Sequence, residues 1–69
     1  MIAVFKTNVN TYIQAVAITQ LLTLHLSPER VSFDLEDCDR VLRIVGPVIP
    51  HNEVAAILCE QGFECAILD

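Results

Sequence analysis

Residues 31–46 of the chain read VSFDLEDCDRVLRIVG and contain the clearest structural signal in the sequence. Apolar and polar residues alternate over Val31–Glu36 and again over Arg40–Gly46, a pattern typical of a strand with one buried face. The polar residues between them, Asp37–Asp39, are typical of a turn. The segment therefore predicts an antiparallel β-hairpin. Its core-facing side chains are predicted to be those of Val31, Phe33, Leu35, Leu42 and Ile44.

The residues before the hairpin predict one strand and one helix. Ile2–Thr7 is rich in β-branched and aromatic side chains and is followed by asparagines, which favours a short strand that ends in a polar loop. Beyond Thr11, which can cap a helix, apolar residues recur every three or four positions. Because the residue before a proline is disfavoured in a helix, Pro28 limits this helix to residues 11–26.

The residues after the hairpin predict a second helix and a last strand. Pro50 is well placed in the first turn of a helix, and Gly62 is well placed just after its end, which predicts a helix over residues 51–61. Phe63–Leu68 is short and β-compatible, with Phe63, Cys65 and Ile67 on one face. This segment is predicted to be the final strand, and Cys65 to be buried and inert.

The predicted element order is β-α-β-β-α-β, in one domain that covers residues 1–69. Right-handed crossovers fold such a chain into a four-stranded antiparallel sheet with two helices on one face, the ferredoxin-like α+β fold. In this topology the turns at Thr7–Thr11, Asp37–Asp39 and Cys59–Gly62 gather at one end of the sheet. His25 and His51 fall at the other end, as an incomplete metal site that we interpret as two surface histidines.

The composition narrows the classes of partner. The chain has 69 residues, 54% of them hydrophobic, and a formal net charge of −5. Net negative charge disfavours nucleic acid and anionic membranes, and it favours a basic or neutral protein as partner. The apolar stretches are too short to cross a bilayer and there is no secretory leader, so we expect a cytoplasmic protein without membrane insertion. The three cysteines contain no Cys-x-x-Cys pair, which predicts reduced thiols.

Four segments together resemble the heavy-metal-associated (HMA) domain family, which includes soluble copper chaperones and modules of metal-transporting ATPases. They are Phe5–Val9, Val31–Leu35, Leu42–Gly46 and Gly62–Cys65. The resemblance implies a Met-x-Cys-x-x-Cys metal loop between the first strand and the first helix, but here Val9, Thr11 and Gln14 occupy the positions of Met and the two cysteines. Soft ions select thiolates over hydroxyl and amide oxygens, so metal transfer through this loop is disfavoured.

Two binding functions remain open, and both are non-enzymatic because no Ser/His/Asp or Cys/His arrangement has local support. In the first function, a protein partner or a second copy binds the sheet face that the helices leave uncovered, and we expect no cofactor. Its residues are predicted to be Val41, Arg43, Val45, Ala66 and Leu68. The alternative is that Cys38 and Cys59 bind Cu(I) or Zn(II), as relocated ligands at the end of the sheet where the family holds its metal. If they bind no metal, Cys38 is an exposed turn residue and Cys59 is a small apolar filler.

Overall fold

The computed structural model describes residues 1–68 and contains six elements in the predicted order. The strands are β1 (Ile2–Thr7), β2 (Arg30–Asp34), β3 (Val41–Val45) and β4 (Cys65–Ile67), and the helices are α1 (Tyr12–Leu26) and α2 (His51–Glu60). The strands form one sheet in the order β2-β3-β1-β4, and every neighbouring pair is antiparallel. This is the ferredoxin-like α+β fold that the element order predicts. The central strands are β1 and β3, while β2 and β4 form the two edges.

The core lies between one face of the sheet and the two helices. Phe5 on β1 and Leu42 on β3 are opposite each other and completely buried, and Leu58 of α2 is buried on the same side. Full burial of side chains of this size stabilises the fold by about 1.5–3 kcal/mol each. Helix α1 contributes Ala15, Ile18 and Leu22, whose spacing of three and four residues puts them on one helical face.

Helix α2 ends in a turn that shortens the last strand. Gly62 has a φ of 88°, and its N–H donates to the carbonyl of Cys59 at 3.0 Å. The N–H of Phe63 donates to the carbonyl of Leu58 at 2.9 Å, so the two bonds form a Schellman cap. Because Phe63 belongs to this cap, β4 begins at Cys65, and the predicted strand over Phe63–Leu68 is too long.

Candidate functional site

Three turns meet at one end of the sheet, as the topology predicts. The N–H of Thr7, at the end of β1, donates to the carbonyl of Asp39 in the hairpin turn at 3.0 Å, and the Thr7 hydroxyl donates to the carbonyl of Arg40 at 2.6 Å. On the other side, the N–H of Glu64 donates to Oδ1 of Asn8 at 2.7 Å. These bonds hold the loop after β1 between the hairpin turn and the segment that follows α2.

The positions that correspond to the family's metal loop have structural roles here. Val9 is completely buried in the core. Thr11 caps α1: its Oγ1 accepts from the N–H of Gln14 at 3.1 Å, and Oε1 of Gln14 accepts from the N–H groups of Thr11 at 3.2 Å and Asn10 at 2.9 Å. This is a reciprocal capping box, which satisfies backbone donors that the start of a helix leaves free. The side-chain oxygens of Thr11 and Gln14, at the two positions where the resemblance to HMA domains implies thiolates, are therefore engaged in starting the helix.

The hairpin turn contains the one group of three or more His, Cys, Asp or Glu side chains that lie together in residues 1–68. The ligand atoms of Asp37, Cys38 and Asp39 are within 4.8 Å of one another, and the Cys38 thiol is exposed. Both carboxylates already have partners: Oδ1 of Asp37 accepts from the N–H of Asp39 at 2.8 Å, and Oδ1 of Asp39 is 3.7 Å from Nζ of Lys6. These contacts are typical of a solvated turn.

The other two cysteines occupy different environments. Cys59, in the last turn of α2, is exposed and does not belong to the group around Cys38; its exposure also shows that it does not act as an apolar filler. Cys65 lies on the helix-facing side of β4, where it is half-buried against the core, less than the predicted full burial. Burial raises the pKa of the Cys65 thiol to about 11, which disfavours the reactive thiolate.

The two histidines differ in exposure. His25, in the last turn of α1, is exposed as predicted. His51, the first residue of α2, is half-buried, and its ring centroid is 5.5 Å from that of Phe5. The prediction of a surface residue therefore holds only in part for His51, whose ring packs against a core aromatic. Within residues 1–68, neither histidine belongs to a group of three metal-ligating side chains.

The uncovered face of the sheet, here called the open face, presents a contiguous apolar area. The strand register places Ile2 opposite Val45, and the N–H of Leu68 donates to the carbonyl of Val4 at 2.9 Å. Ile2 is 62% exposed and Leu68 is 44% exposed. We call Ile2, Val4, Val45 and Leu68 the apolar patch. Sequence reasoning missed Ile2 and Val4, although β1 alternates between them and the buried Ala3 and Phe5.

One residue predicted on the open face is not available there. Val41 is only 6% exposed, although it is separate from the core cluster beneath the helices. It pairs with Asp34 of β2, and the continued register places Lys6 on its other side. Lys6 in turn reaches Asp39, so these polar side chains shield the valine. The other predicted residues of this face, Arg43, Val45, Ala66 and Leu68, are exposed or half-buried.

Basic residues are concentrated on the open face, together with acidic neighbours. Of the four Lys and Arg residues, Lys6, Arg30 and Arg43 all alternate onto this face, where Asp34 lies on β2, Asp39 contacts Lys6, and Glu64 lies beside Lys6 and Ala66. Arg43 is exposed and opposite Val4, beside the apolar patch. The net charge of −5 favours a basic or neutral partner, but Arg43 gives the area beside the apolar patch a local positive charge that suits a carboxylate.

Comparisons with protein-family models, with curated proteins and with solved structures found no match. Within residues 1–68, neither helix has the length and apolar character that a bilayer span requires. The fold and the surface define the chain as a small ferredoxin-like domain whose open face carries apolar and basic side chains.

Proposed function

We propose that this protein is a non-enzymatic, HMA-like binding module that has lost the family's thiolate loop and binds a protein partner through its open face. The observation that carries the proposal is the apolar patch of Ile2, Val4, Val45 and Leu68, which no helix covers. A contiguous exposed apolar area with a polar border is typical of an interaction surface. The capping box at Thr11 and Gln14 supports the same interpretation, because it gives the former metal loop a structural role.

The chemistry of the open face defines the partner that it would bind. Burying the side chains of Ile2 and Leu68 would contribute up to about 1.5–3 kcal/mol each, reduced by the part that is already buried. Arg43 offers a planar guanidinium beside the patch, which suits a carboxylate. The expected partner therefore presents aliphatic side chains next to Asp or Glu. Aromatic side chains, on which RNA-binding sheets stack bases, are lacking among the described residues of this face.

The test compares open-face variants with a matched variant elsewhere. Val45→Asp and Arg43→Glu each alter the open face, whereas Ile13→Asp alters α1 at a side chain that is 81% exposed. A partner captured with the wild-type chain, identified and purified, is titrated against each variant by calorimetry. We expect both open-face variants to weaken binding about tenfold or more and Ile13→Asp to have no effect. Equal affinity for all variants would show that the partner binds another surface.

Metal binding is the second candidate, and the exposure of Cys38 and Cys59 favours it. Cys38 is in the hairpin turn and Cys59 is in the last turn of α2, at the same end of the sheet. The carboxylates of Asp37 and Asp39 are close to Cys38. Cu(I) and Zn(II) are the ions that thiolates select. An anaerobic titration of the reduced protein with each ion, against a competing chelator, tests this function. One equivalent bound tightly, and lost in Cys38→Ser with Cys59→Ser, would establish it; binding no tighter than that of the double variant would reject it.

A further inference from the structure

The outer edge of β2 has free backbone hydrogen-bonding groups. Within residues 1–68, no strand lies on that side of β2. The N–H of Gly46 donates to the carbonyl of Met1 at 3.1 Å, so Met1 and Gly46 are a hydrogen-bonded pair. Hydrogen-bonded pairs occur at every second position of an antiparallel ladder, so the backbone groups of Ile44 and Leu42 also bond to β1. Val41, Arg43 and Val45 then bond to β2 through Arg30, Ser32 and Asp34. The N–H and carbonyl groups of Val31 and Phe33 therefore point away from the sheet.

The sequence of β2, RVSFD, is complementary to itself when two copies run antiparallel. With Ser32 on a twofold axis, Val31 lies opposite Phe33 of the second copy and Arg30 lies opposite Asp34 of the second copy. The backbone groups of Val31 and Phe33 point outward, so the two Val31–Phe33 pairs are hydrogen-bonded pairs in this register. Each pair exchanges two bonds, which gives about four inter-strand bonds. The small side chain of Ser32 occupies the closely spaced position on the axis. This register pairs all five residues of β2, and it places no like charges opposite each other.

An apolar groove follows the same edge. It has a volume of about 300 Å³ and lies between α1 and β2. Its lining includes Ala15 and Val16 of α1 together with Val31, Phe33 and Leu35. The three β2-side residues face the helices but are only half-buried, because α1 does not extend over the edge of the sheet. In the antiparallel pair, the grooves of the two copies meet across the twofold axis, and Val31 and Phe33 form apolar cross-strand pairs.

We propose that two copies of this chain associate through β2, centred on Ser32, to form a continuous eight-stranded antiparallel sheet. The charge complementarity of Arg30 and Asp34 selects a second copy as the occupant of this edge. The proposal does not depend on the function of the open face, which stays uncovered in the dimer. It adds that the dimer displays two open faces side by side, as one extended surface.

Charge reversal tests the register. Arg30→Asp places two carboxylates opposite each other at both ends of the interface, and Asp34→Arg places two guanidinium groups there. Each single variant is expected to weaken self-association by about tenfold or more in sedimentation equilibrium, measured from micromolar to millimolar concentration. An equimolar mixture of the two variants restores opposite charges at both positions, so it is expected to form heterodimers. Ile13→Asp also adds negative charge, at an exposed residue of α1 that does not line the groove, and is expected to leave association unchanged.

Amide exchange supplies a residue-level measurement on the wild-type chain. The N–H groups of Val31 and Phe33 should gain protection as the protein concentration rises, whereas that of Ser32, which bonds to β3, should be protected at every concentration. A chain that is monomeric at millimolar concentration would overturn the proposal. A dimer that both single variants leave intact, or that the mixture does not restore, would also overturn it. Circular dichroism of each single variant shows whether it folds, and rescue in the mixture requires that both variants fold.

Discussion

Introducing a cysteine pair at the two positions that the HMA resemblance assigns to metal ligands is the perturbation that most directly examines the loop between β1 and α1. Thr11→Cys with Gln14→Cys would convert residues 9–14, VNTYIQ, into a loop with the Cys-x-x-Cys spacing. The same change removes the capping box, in which Thr11 and Gln14 satisfy the N–H groups of Gln14, Thr11 and Asn10. Loss of an N-cap side chain costs about 0.5–2 kcal/mol, and loss of the reciprocal Gln14 bonds adds to it.

We therefore expect the double variant to lose about 1–2 kcal/mol of unfolding free energy without metal and to gain tight Cu(I) binding. Chemical denaturation of the reduced protein measures the first effect, and an anaerobic Cu(I) titration against a chelator measures the second. Thr11→Ser with Gln14→Glu is the matched control, because it keeps the capping-box pattern and adds no thiolate. A double variant that binds Cu(I) no better than this control would refute the resemblance at the loop. One that is as stable as the wild type without metal would refute the role of the capping box.

Three further predictions concern the stability and chemistry of the fold. Leu58→Ala removes a completely buried side chain and is expected to cost about 2–5 kcal/mol in chemical denaturation, whereas Leu24→Ala, at a site that is 75% exposed, should cost far less. Gly62→Ala forces a residue with a side chain to adopt a φ of 88° and should destabilise the protein by about 1 kcal/mol. The cost comes from the backbone conformation, because no described atom lies within 4 Å of the added carbon. A stabilising effect would contradict the Schellman cap. Because burial raises the pKa of Cys65 from 9.0 to about 11, the unfolded chain releases its proton first, so the stability that is present below pH 9 should fall between pH 9 and 11. Cys65→Ala should remove that part of the pH dependence, and alkylation at neutral pH should modify Cys38 and Cys59 before Cys65.

The order of the elements follows from local patterns along the chain, of which residues 31–46 contain the clearest. Alternation over Val31–Glu36 and Arg40–Gly46 identifies which side chains face the helices, because successive side chains of a strand point to opposite faces. Proline and glycine positions locate the helix ends for the same local reason. The start of β4 is missed because it depends on two backbone bonds from Gly62 and Phe63, which close α2 and take Phe63 out of the strand.

The surface chemistry could be predicted only in part. Alternation assigns Val41 to the open face, but its burial depends on its neighbours across the sheet, Asp34 of the same hairpin and Lys6, which is distant along the chain. The net charge likewise gives no indication that the basic residues converge on one face, because that convergence depends on the strand register. The half-burial of His51 arises from its contact with Phe5, a tertiary contact that no local pattern indicates.

Chemical-shift mapping examines directly whether a partner binds the open face. The ¹⁵N-labelled chain is titrated with the purified partner, and the amide shifts of every residue are followed. The largest shifts should fall on Ile2, Val4, Arg43, Val45 and Leu68, and Arg43→Glu should require about tenfold or more partner to produce them. Shifts confined to the hairpin turn at Asp37–Asp39, or to the exposed side of α1, would show that the partner does not bind the open face.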